Sequence, residues 1–172
     1  GSALRDIAIP QLLDTILLCL PSPVEMARIS PIKGKNPKDG KEAERKPLPT
    51  EPLSAYVFKT IADPFAGRLS IFRVYSGSLK ADSNVLNTTT GAKERIGQVF
   101  HLIGKKHITE QMIGPGEIGV VAKLKETYTG DTFSDDAHPF VVEKLKFADP
   151  IISYAIASQN KGEEEKVSTG LH

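Results

Sequence analysis

The sequence predicts a mainly β protein whose strands form an antiparallel β-barrel, with a short helix before the barrel and a strand and helix start after it. Beyond the first third of the chain, short runs rich in β-branched and aromatic residues follow one another closely, with Gly and Pro turn signals between them. The clearest run is GRLSIFRVYSG at 67–77, where Ile71 and Val74 are set among Arg68 and Arg73. Closing such strands into a barrel removes the exposed edges that an open sheet leaves.

Six segments are predicted to be strands, because each combines β-branched or aromatic residues with flanking turn residues. In chain order they are LSAYVFKT (53–60), GRLSIFRVYSG (67–77), SNVLNTT (83–89), KERIGQVFHLIG (93–104), GEIGVVAKL (116–124) and HPFVVEKL (138–145). The segment Lys106–Ile113 is ambiguous between a short helical turn and a loop. TGDT at 129–132 predicts a tight turn, since Gly130 supplies a backbone conformation that other residues disfavour.

The first fifty residues predict a helix followed by a linker. Apolar residues recur at helical spacing over 9–20, Pro10 suits a first helical turn, and Pro21 ends the pattern. Residues 22–50 are rich in Pro, Gly, Lys and Glu and have no sustained period, which predicts a flexible linker.

Two apolar segments have no evident partner within the barrel pattern, the helix Pro10–Leu20 and the strand-like Ile151–Ala157. A single strand followed by the charged helix start GEEEKVSTGLH (162–172) cannot bury its own apolar face. We therefore expect both segments to pack on the barrel or to pair between two chains as a weak or crystal dimer, or the second to be poorly ordered.

Composition and charge limit the classes of partner and compartment. The chain has 172 residues with 22 basic and 21 acidic side chains, so its formal net charge of +1 predicts neither nucleic acid nor membrane as a partner. Cys19 is the only cysteine, which excludes an intrachain disulfide and favours a reducing compartment. No apolar run approaches the roughly 20 residues that cross a bilayer. We expect a cytoplasmic protein that contacts no membrane.

Three stretches imitate nucleotide-binding motifs, and the context of each argues against that chemistry. GPGEIG at 114–119 matches GxGxxG but precedes the strand-like VVAKL, where a pyrophosphate site needs a helix N-terminus. GKNPKDGKE at 34–42 resembles a P-loop, but its spacing is one residue too long and Glu42 replaces the magnesium-binding Ser or Thr. NKGE at 160–163 lacks the Asp of a guanine-reading NKxD. The sequence therefore predicts no bound cofactor in this chain.

Candidate catalytic and metal-binding groups are scarce. The histidines, which show neither metal-ligand spacing nor a neighbouring cysteine, are His101, His107, His138 and His172. Asp135 and Asp136 have the composition of a metal pair, but adjacent carboxylates on a loop are more often solvated. We expect no metal site and no enzymatic activity in this chain.

A basic stretch is the remaining candidate binding feature. Its cations are Lys93, Arg95, Lys105 and Lys106. They face only Glu94 within KERIGQVFHLIGKKH (93–107), so four positive charges minus one negative charge leave a local charge of +3. With Arg68 and Arg73 nearby in a barrel, these side chains form either a phosphate-binding surface or an ordinary solvated face, and the residues alone leave both open. No interleaved aromatic residues support base stacking, which favours phosphate and shape contacts.

The stretch DPFAGRLSIFRVYSGSLKADSNVLN (63–87) resembles the second domain of the elongation factor G family, whose members carry the form DPFxGRLxxxRVYSGxLxxGxxVxN. PQLLDTILLCLPSP (10–23) is similar to the last helix of that family's GTPase domain, and FADPIISYAIASQNKGEEEK (147–166) to the start of its third domain. The resemblance implies four parts, which are a GTPase-domain remnant over 1–21, a linker over 22–50, the second-domain barrel over 51–146 and a truncated third-domain start over 147–172.

The resemblance also implies a function. In that family the second domain is a barrel of the translational GTPase type that docks on the small ribosomal subunit through ribosomal RNA, while the first domain binds GTP and magnesium. For this chain it implies non-catalytic ribosome binding that supports GTP-dependent movement of tRNA and mRNA. The six basic residues above would be the RNA contacts, and neighbouring domains of the parent chain would be further partners. Two alternatives remain, a rigid spacer that relays switch state between domains and a ribosome-protection or recycling paralogue.

The sequence departs from the family pattern at a few positions. Members often carry Gly-Leu-Lys where this chain has Ala122-Lys123-Leu124-Lys125, and a Gly near Ala81-Asp82. TGDTFSD (129–135) also differs from the commonest form, TGDTL with a Cys. These changes bear on the subtype within the family and leave the expected fold unchanged.

Overall fold

The structure, a computed structural model, describes residues 1–63, 66–146 and 148–171. Its helices are α1 (Ile9–Cys19), α2 (Pro23–Ile29) and α3 (Glu164–Leu171). Its strands, in chain order, are β1 (Ile32–Lys35), β2 (Glu42–Arg45), β3 (Ser54–Asp63), β4 (Gly67–Ser76), β5 (Leu79–Lys80), β6 (Asn84–Asn87), β7 (Lys93–Arg95), β8 (Val99–Ile103), β9 (Lys106–Glu110), β10 (Met112–Ile113), β11 (Ile118–Ala122), β12 (Thr132–Ser134) and β13 (Val141–Val142). The predicted mainly β, antiparallel character is confirmed.

Eight strands form one antiparallel sheet in the order β7-β6-β12-β3-β4-β11-β8-β9. In a flat sheet of this order, the steps between neighbouring strands, about 4.8 Å each, would hold β7 and β8 about 29 Å apart. The connection from Arg95 at the end of β7 to Val99 at the start of β8 spans at most about 14 Å. The sheet therefore curls into a barrel until its two ends meet. The pairing of β5 with β10, continued by a backbone hydrogen bond from Ala81 N–H to the carbonyl of Gln111 (2.9 Å), joins the chain before β6 to the chain after β9.

The interior of the barrel holds the main hydrophobic core. Alternation along β4 turns Phe72 and Val74 inward and leaves Arg73 exposed, as a period of two requires. Phe72 meets Phe133 of β12 edge to face, with ring centroids 6.3 Å apart and ring planes at 67°. A Cβ atom at Gly119 of β11 would lie 2.6 Å from Cζ of Phe72, so glycine is the residue that fits beside this ring.

The segment predicted as a flexible linker, 22–50, is instead folded over much of its length. Ser22 caps α2 through a capping box, in which its hydroxyl accepts from Glu25 N–H (3.3 Å) and Glu25 Oε2 accepts from Ser22 N–H (2.7 Å). The chain then forms the hairpin β1–β2, and β13 pairs with β1 to complete a three-stranded antiparallel sheet. The prediction was wrong because Lys35 pairs with Val141, a partner that no local pattern reveals.

The structure confirms some of the other predicted elements and corrects the rest. Lys106–Ile113 forms β9 and β10, and the strand predicted over 93–104 divides into β7 and β8. Helix α1 lies where the apolar spacing predicts it, and the charged helix start becomes α3. Residues 151–157 form no strand and are exposed, and no residue of α1 is buried, so neither segment packs on the barrel as expected. Pairing between chains and the assignment of 1–21, 51–146 and 147–172 to parts of the family's domains remain predictions.

Each of the other five predicted strands overlaps an observed strand, although the lengths differ. Strand β3 runs to Asp63, beyond the predicted end at Thr60, whereas β13 covers only Val141–Val142 of the predicted 138–145. Within the described ranges, no helix is both long and apolar enough to cross a membrane. Some predictions fall on residues outside the described ranges, namely Pro64, Phe65, Phe147 and His172.

Replacing Phe133 by Ala should lower the free energy of unfolding by about 3 to 5 kcal/mol, because it removes a fully buried ring and leaves a cavity beside Phe72. Urea unfolding followed by circular dichroism measures this change. The matched control is Tyr154→Ala, since this aromatic side chain is 81% exposed and its loss should change stability by less than about 0.5 kcal/mol. Equal effects of the two changes would contradict the core described above.

Candidate nucleic-acid interface

The connection between β11 and β12, residues 123–131, is held by a buried carboxylate. Glu94, in the middle of β7, is only 6% exposed. Its Oε1 accepts hydrogen bonds from the N–H of Glu126 (2.7 Å) and the hydroxyl of Thr127 (3.0 Å). Alternation along β7 turns the two basic neighbours of Glu94 toward solvent. Glu94, the one acidic residue of the basic stretch, is therefore buried, so the exposed side of β7 is more basic than the sequence implies.

Arg68 holds the same connection. Its Nη2 atom donates to the carbonyl oxygens of Leu124 (2.7 Å) and Lys125 (2.9 Å). The guanidinium carbon also lies 4.8 Å from the centroid of the Tyr128 ring. These contacts place Arg68 within the fold as a residue that positions the connection.

A buried polar cluster closes the far end of the connection. Asn87 Nδ2 donates to Asp131 Oδ2 (2.9 Å) and to Thr127 Oγ1 (3.3 Å). The N–H of Tyr128 donates to the same carboxylate oxygen at 2.9 Å. Buried polar groups are stable when they are hydrogen bonded, so this cluster holds residues 123–131 in one conformation.

A groove of about 460 Å³ opens where the two ends of the curled sheet meet. Its lining includes Arg95, Gln98, Phe100, His107, Thr109 and Lys123. Among the described residues that line it there are two cations and no carboxylate. Both cations are exposed, and neither forms a salt bridge with any described residue. Such a groove attracts anionic groups, phosphates above all.

Two aromatic rings stack inside this groove. The rings of Phe100 and His107 have centroids 4.6 Å apart and planes at 15°. Phe100 is buried in a small outer cluster with Leu69 and Val120, whereas His107 is exposed. The expectation that no aromatic residues accompany the cations is therefore wrong. The β8–β9 hairpin folds His107 back over Phe100. In the sequence, the pair is visible as one aromatic residue before and one after Gly-Lys-Lys at 104–106.

Of the six basic residues predicted as RNA contacts, Arg95 is the one that lines the groove. Lys93 projects from the same face of β7, but its Nζ donates to Asp136 Oδ2 at 2.6 Å. Arg73 is exposed on β4, beside helix α2, and Arg68 serves the 123–131 connection. The structure thus separates these residues, and their roles as RNA contacts remain predictions.

Lys105 and Lys106 lie at the tip of the β8–β9 hairpin. Both side chains are exposed. Because side chains alternate along a strand, Lys106 lies on the face of β9 opposite to His107. The hairpin tip therefore adds positive charge near the groove without lining it, and the RNA contacts predicted there also remain predictions.

Lys123 also lines the groove, although it lies outside the predicted basic stretch. Its φ angle is +62°, in the left-handed region that costs a residue with a Cβ atom about 1 kcal/mol. The departure at Ala122-Lys123-Leu124-Lys125 therefore puts a cation where the backbone favours glycine.

The stretches that imitate nucleotide sites form turns. Residues 34–42 include the turn between β1 and β2, and residues 114–119 turn into β11 with Gly116 at φ +87°. In the part of the chain that the structure describes, no group of three potential metal ligands occurs. Asp135 accepts from a backbone N–H and Asp136 from Lys93, so each carboxylate has a protein partner.

This chain is similar to known proteins, either over one segment or over nearly its full length. A family model described as elongation factor G domain 2 matches residues 52–136. A relative named elongation factor G from Aquifex pyrophilus is 42% identical over 172 residues, which is all of this chain and 24% of that protein. One of the same name from Dehalococcoides mccartyi is 40% identical over 171 residues, again 24% of its length. A crystal structure from Thermus thermophilus has a TM-score of 0.74 at 24% identity, covering 99% of this chain and 23% of that one, which shows a shared fold.

Replacing Glu94 by Gln should lower the free energy of unfolding by about 1 to 3 kcal/mol, because a neutral amide replaces a charged acceptor of backbone N–H groups. Urea unfolding measures the change, with the exposed Glu143→Gln as the matched control. If the two variants lose equal stability, the buried contacts of Glu94 do not hold the connection.

Lys93 lowers the pKa of Asp136, first by the hydrogen bond it donates and then by its charge. Lys93→Ala should therefore raise the pKa of Asp136 toward the ordinary aspartate value. A lowered pKa in the folded state means that the pair adds stability above the ordinary pKa and loses it as the pH falls through the folded pKa. An NMR titration of the Asp136 carboxyl in both proteins measures the shift, and an unchanged pKa would contradict the pairing.

Proposed function

Because the chain belongs to the elongation factor G family, with residues 52–136 as its second domain, we propose that this barrel binds the small ribosomal subunit through ribosomal RNA. This binding is non-catalytic, and it supports GTP-dependent movement of tRNA and mRNA by the parent protein. The observation that carries the proposal is the groove at the closed end of the sheet, where Arg95 and Lys123 are exposed without a carboxylate in the described lining.

The positions of the charged side chains support binding to RNA more than the net charge of the chain does. The net charge of +1 provides no general attraction to phosphates, so affinity depends on where the cations lie. Glu94 points into the barrel while Lys93 and Arg95 point out, and the hairpin tip adds two exposed lysines. Since Lys93 is paired with Asp136, the cations left near the groove are Arg95, Lys123 and the two lysines of the hairpin tip.

The setting in the parent protein is part of the same proposal. The chain spans 24% of the length of the curated relatives it matches, so the rest of the parent lies outside it. We propose that the parent binds GTP and magnesium through its first domain, and that this chain contacts the neighbouring domains. A factor that acts on ribosomes during protein synthesis works in the cytoplasm, where we place the parent.

A rigid spacer is the second candidate function. The 123–131 connection is restrained by Arg68, Glu94 and Asn87. A barrel held in one conformation moves as a rigid body, so a movement of one neighbouring domain is transmitted to the other. In this role the RNA contacts are incidental. A ribosome-protection or recycling paralogue would use the same barrel, and the departures at 122–125 and 129–135 bear on that choice.

Co-sedimentation of the 172-residue chain with purified small ribosomal subunits tests the proposal. We expect saturable binding that weakens steeply with salt, because each phosphate contact releases condensed counterions. Large ribosomal subunits should bind the chain much less tightly. No binding at low salt, or equal binding to both subunits, would contradict the proposal.

Reversing the charge of the hairpin tip, Lys105→Glu with Lys106→Glu, should weaken binding to small subunits at least about 10-fold and reduce the salt slope by roughly 1.4 to 1.8. The matched control is Lys46→Glu with Lys161→Glu, two exposed lysines outside the basic stretch. An unchanged affinity and slope would show that the tip does not contact RNA. If the parent protein carrying the same reversal keeps its ribosome-stimulated GTPase activity, the spacer becomes the better account.

A further inference from the structure

We propose that the groove holds a single unstacked nucleotide of ribosomal RNA, with its base on the open face of the His107 ring and its phosphate on Arg95 and Lys123. The inference rests on the proposed function and names the RNA feature that the site takes. It assigns contact roles to two residues, His107 and Lys123, that lie outside the predicted basic set.

His107 provides the surface for the base. One face of its ring lies on Phe100, and His107 is exposed and lines the groove, so the opposite face is the one on which we place a base. Bases that are splayed out of RNA loops and bulges stack on aromatic rings of this kind, and such stacking tolerates any base. Gln98 and Thr109 in the groove lining carry an amide and a hydroxyl group that can hydrogen bond to the edge of a base.

Arg95 and Lys123 provide the contacts for the phosphate. They come from different parts of the chain, the end of β7 and the start of the 123–131 connection, and both line the same groove. A guanidinium group can donate two parallel hydrogen bonds to a phosphate, and an ammonium group adds a compact charge. A nucleotide presents a flat apolar ring and an anion close together, and the groove offers a complementary surface to each.

The backbone at Lys123 gives independent support. Its φ angle of +62° is one that glycine adopts more easily than lysine, so the side chain opposes the conformation that the fold requires. The side chain is exposed and lines the groove instead of packing in a core. A side chain that strains the backbone and extends a cation into a groove is explained by binding better than by stability.

The competing explanation is that His107 only covers Phe100 and its outer apolar cluster. A cover of this kind predicts that changing His107 alters stability and leaves RNA binding unchanged. The probe that separates the two is a single-stranded RNA hexamer with one central 2-aminopurine, whose fluorescence falls when that base stacks on an aromatic ring.

The unmodified chain and His107→Phe should both quench the probe, since each presents a ring above Phe100. His107→Ala should lose most of the quenching and bind the hexamer about 10-fold more weakly. Thermal unfolding of each variant confirms that the barrel is folded at the temperature of the measurement. If His107→Ala quenches and binds as the unmodified chain does, or if the unmodified chain does not quench, the stacking role is wrong.

Lys123→Gly tests the phosphate contact without damaging the fold. The midpoint of thermal unfolding should stay the same or rise, because glycine suits the positive φ angle. Affinity for small ribosomal subunits should fall about fivefold at about 0.1 M salt, and the salt slope should decrease by about 0.7. Lys46→Ala, which removes an exposed lysine outside the groove, should leave affinity and slope unchanged. If Lys123→Gly binds as tightly as the unmodified chain, Lys123 does not contact phosphate.

The two proposals fail in different ways. If the unmodified chain binds small subunits and both His107→Ala and Lys123→Gly bind them equally well, ribosome binding stands and the groove is not where the nucleotide lies. If the chain quenches the hexamer through His107 but does not bind small subunits, the stacking site stands and the proposed ribosomal partner is wrong.

Discussion

The buried carboxylate of Glu94 is the contact on which the functional end of the barrel depends. An ionised carboxylate remains inside a protein when hydrogen-bond donors surround its oxygens, and the connection after β11 supplies those donors from its backbone and from Thr127. The same orientation of β7 that turns Glu94 inward turns Arg95 outward into the groove. Glu94 therefore helps to hold the 123–131 connection, and the strand orientation that buries it also sets the charge of the surface beside it.

Arg68 illustrates how a tertiary contact changes the meaning of a sequence motif. It belongs to the most recognisable stretch of the chain, DPFAGRLSIFRVYSG, and as a cation beside other cations it is a natural candidate for a phosphate contact. In the structure its guanidinium group donates to carbonyl oxygens of Leu124 and Lys125 and lies over Tyr128. Its evident task is to position the connection that begins with Lys123, so its influence on the groove is indirect.

Predictions from the sequence were most accurate where local patterns suffice. The period of two identified β4 and the helical spacing identified α1, because both depend on residues close together in the chain. The linker prediction over 22–50 was wrong because β1 takes a partner from β13, far along the chain. The strand predicted over 151–157 was wrong for the opposite reason, since the β-like residues there have no sheet to join among the described strands.

The sequence by itself determined the fold class and the family, because alternating strands and a long collinear motif are local features of the chain. Only the tertiary structure decided which residues form the groove. Arg95, His107 and Lys123 come from β7, β9 and the 123–131 connection, and they meet because the curled sheet brings its two ends together. A pattern of inward and outward residues shows which face a side chain takes, but it carries no information about which strand ends become neighbours when a barrel closes.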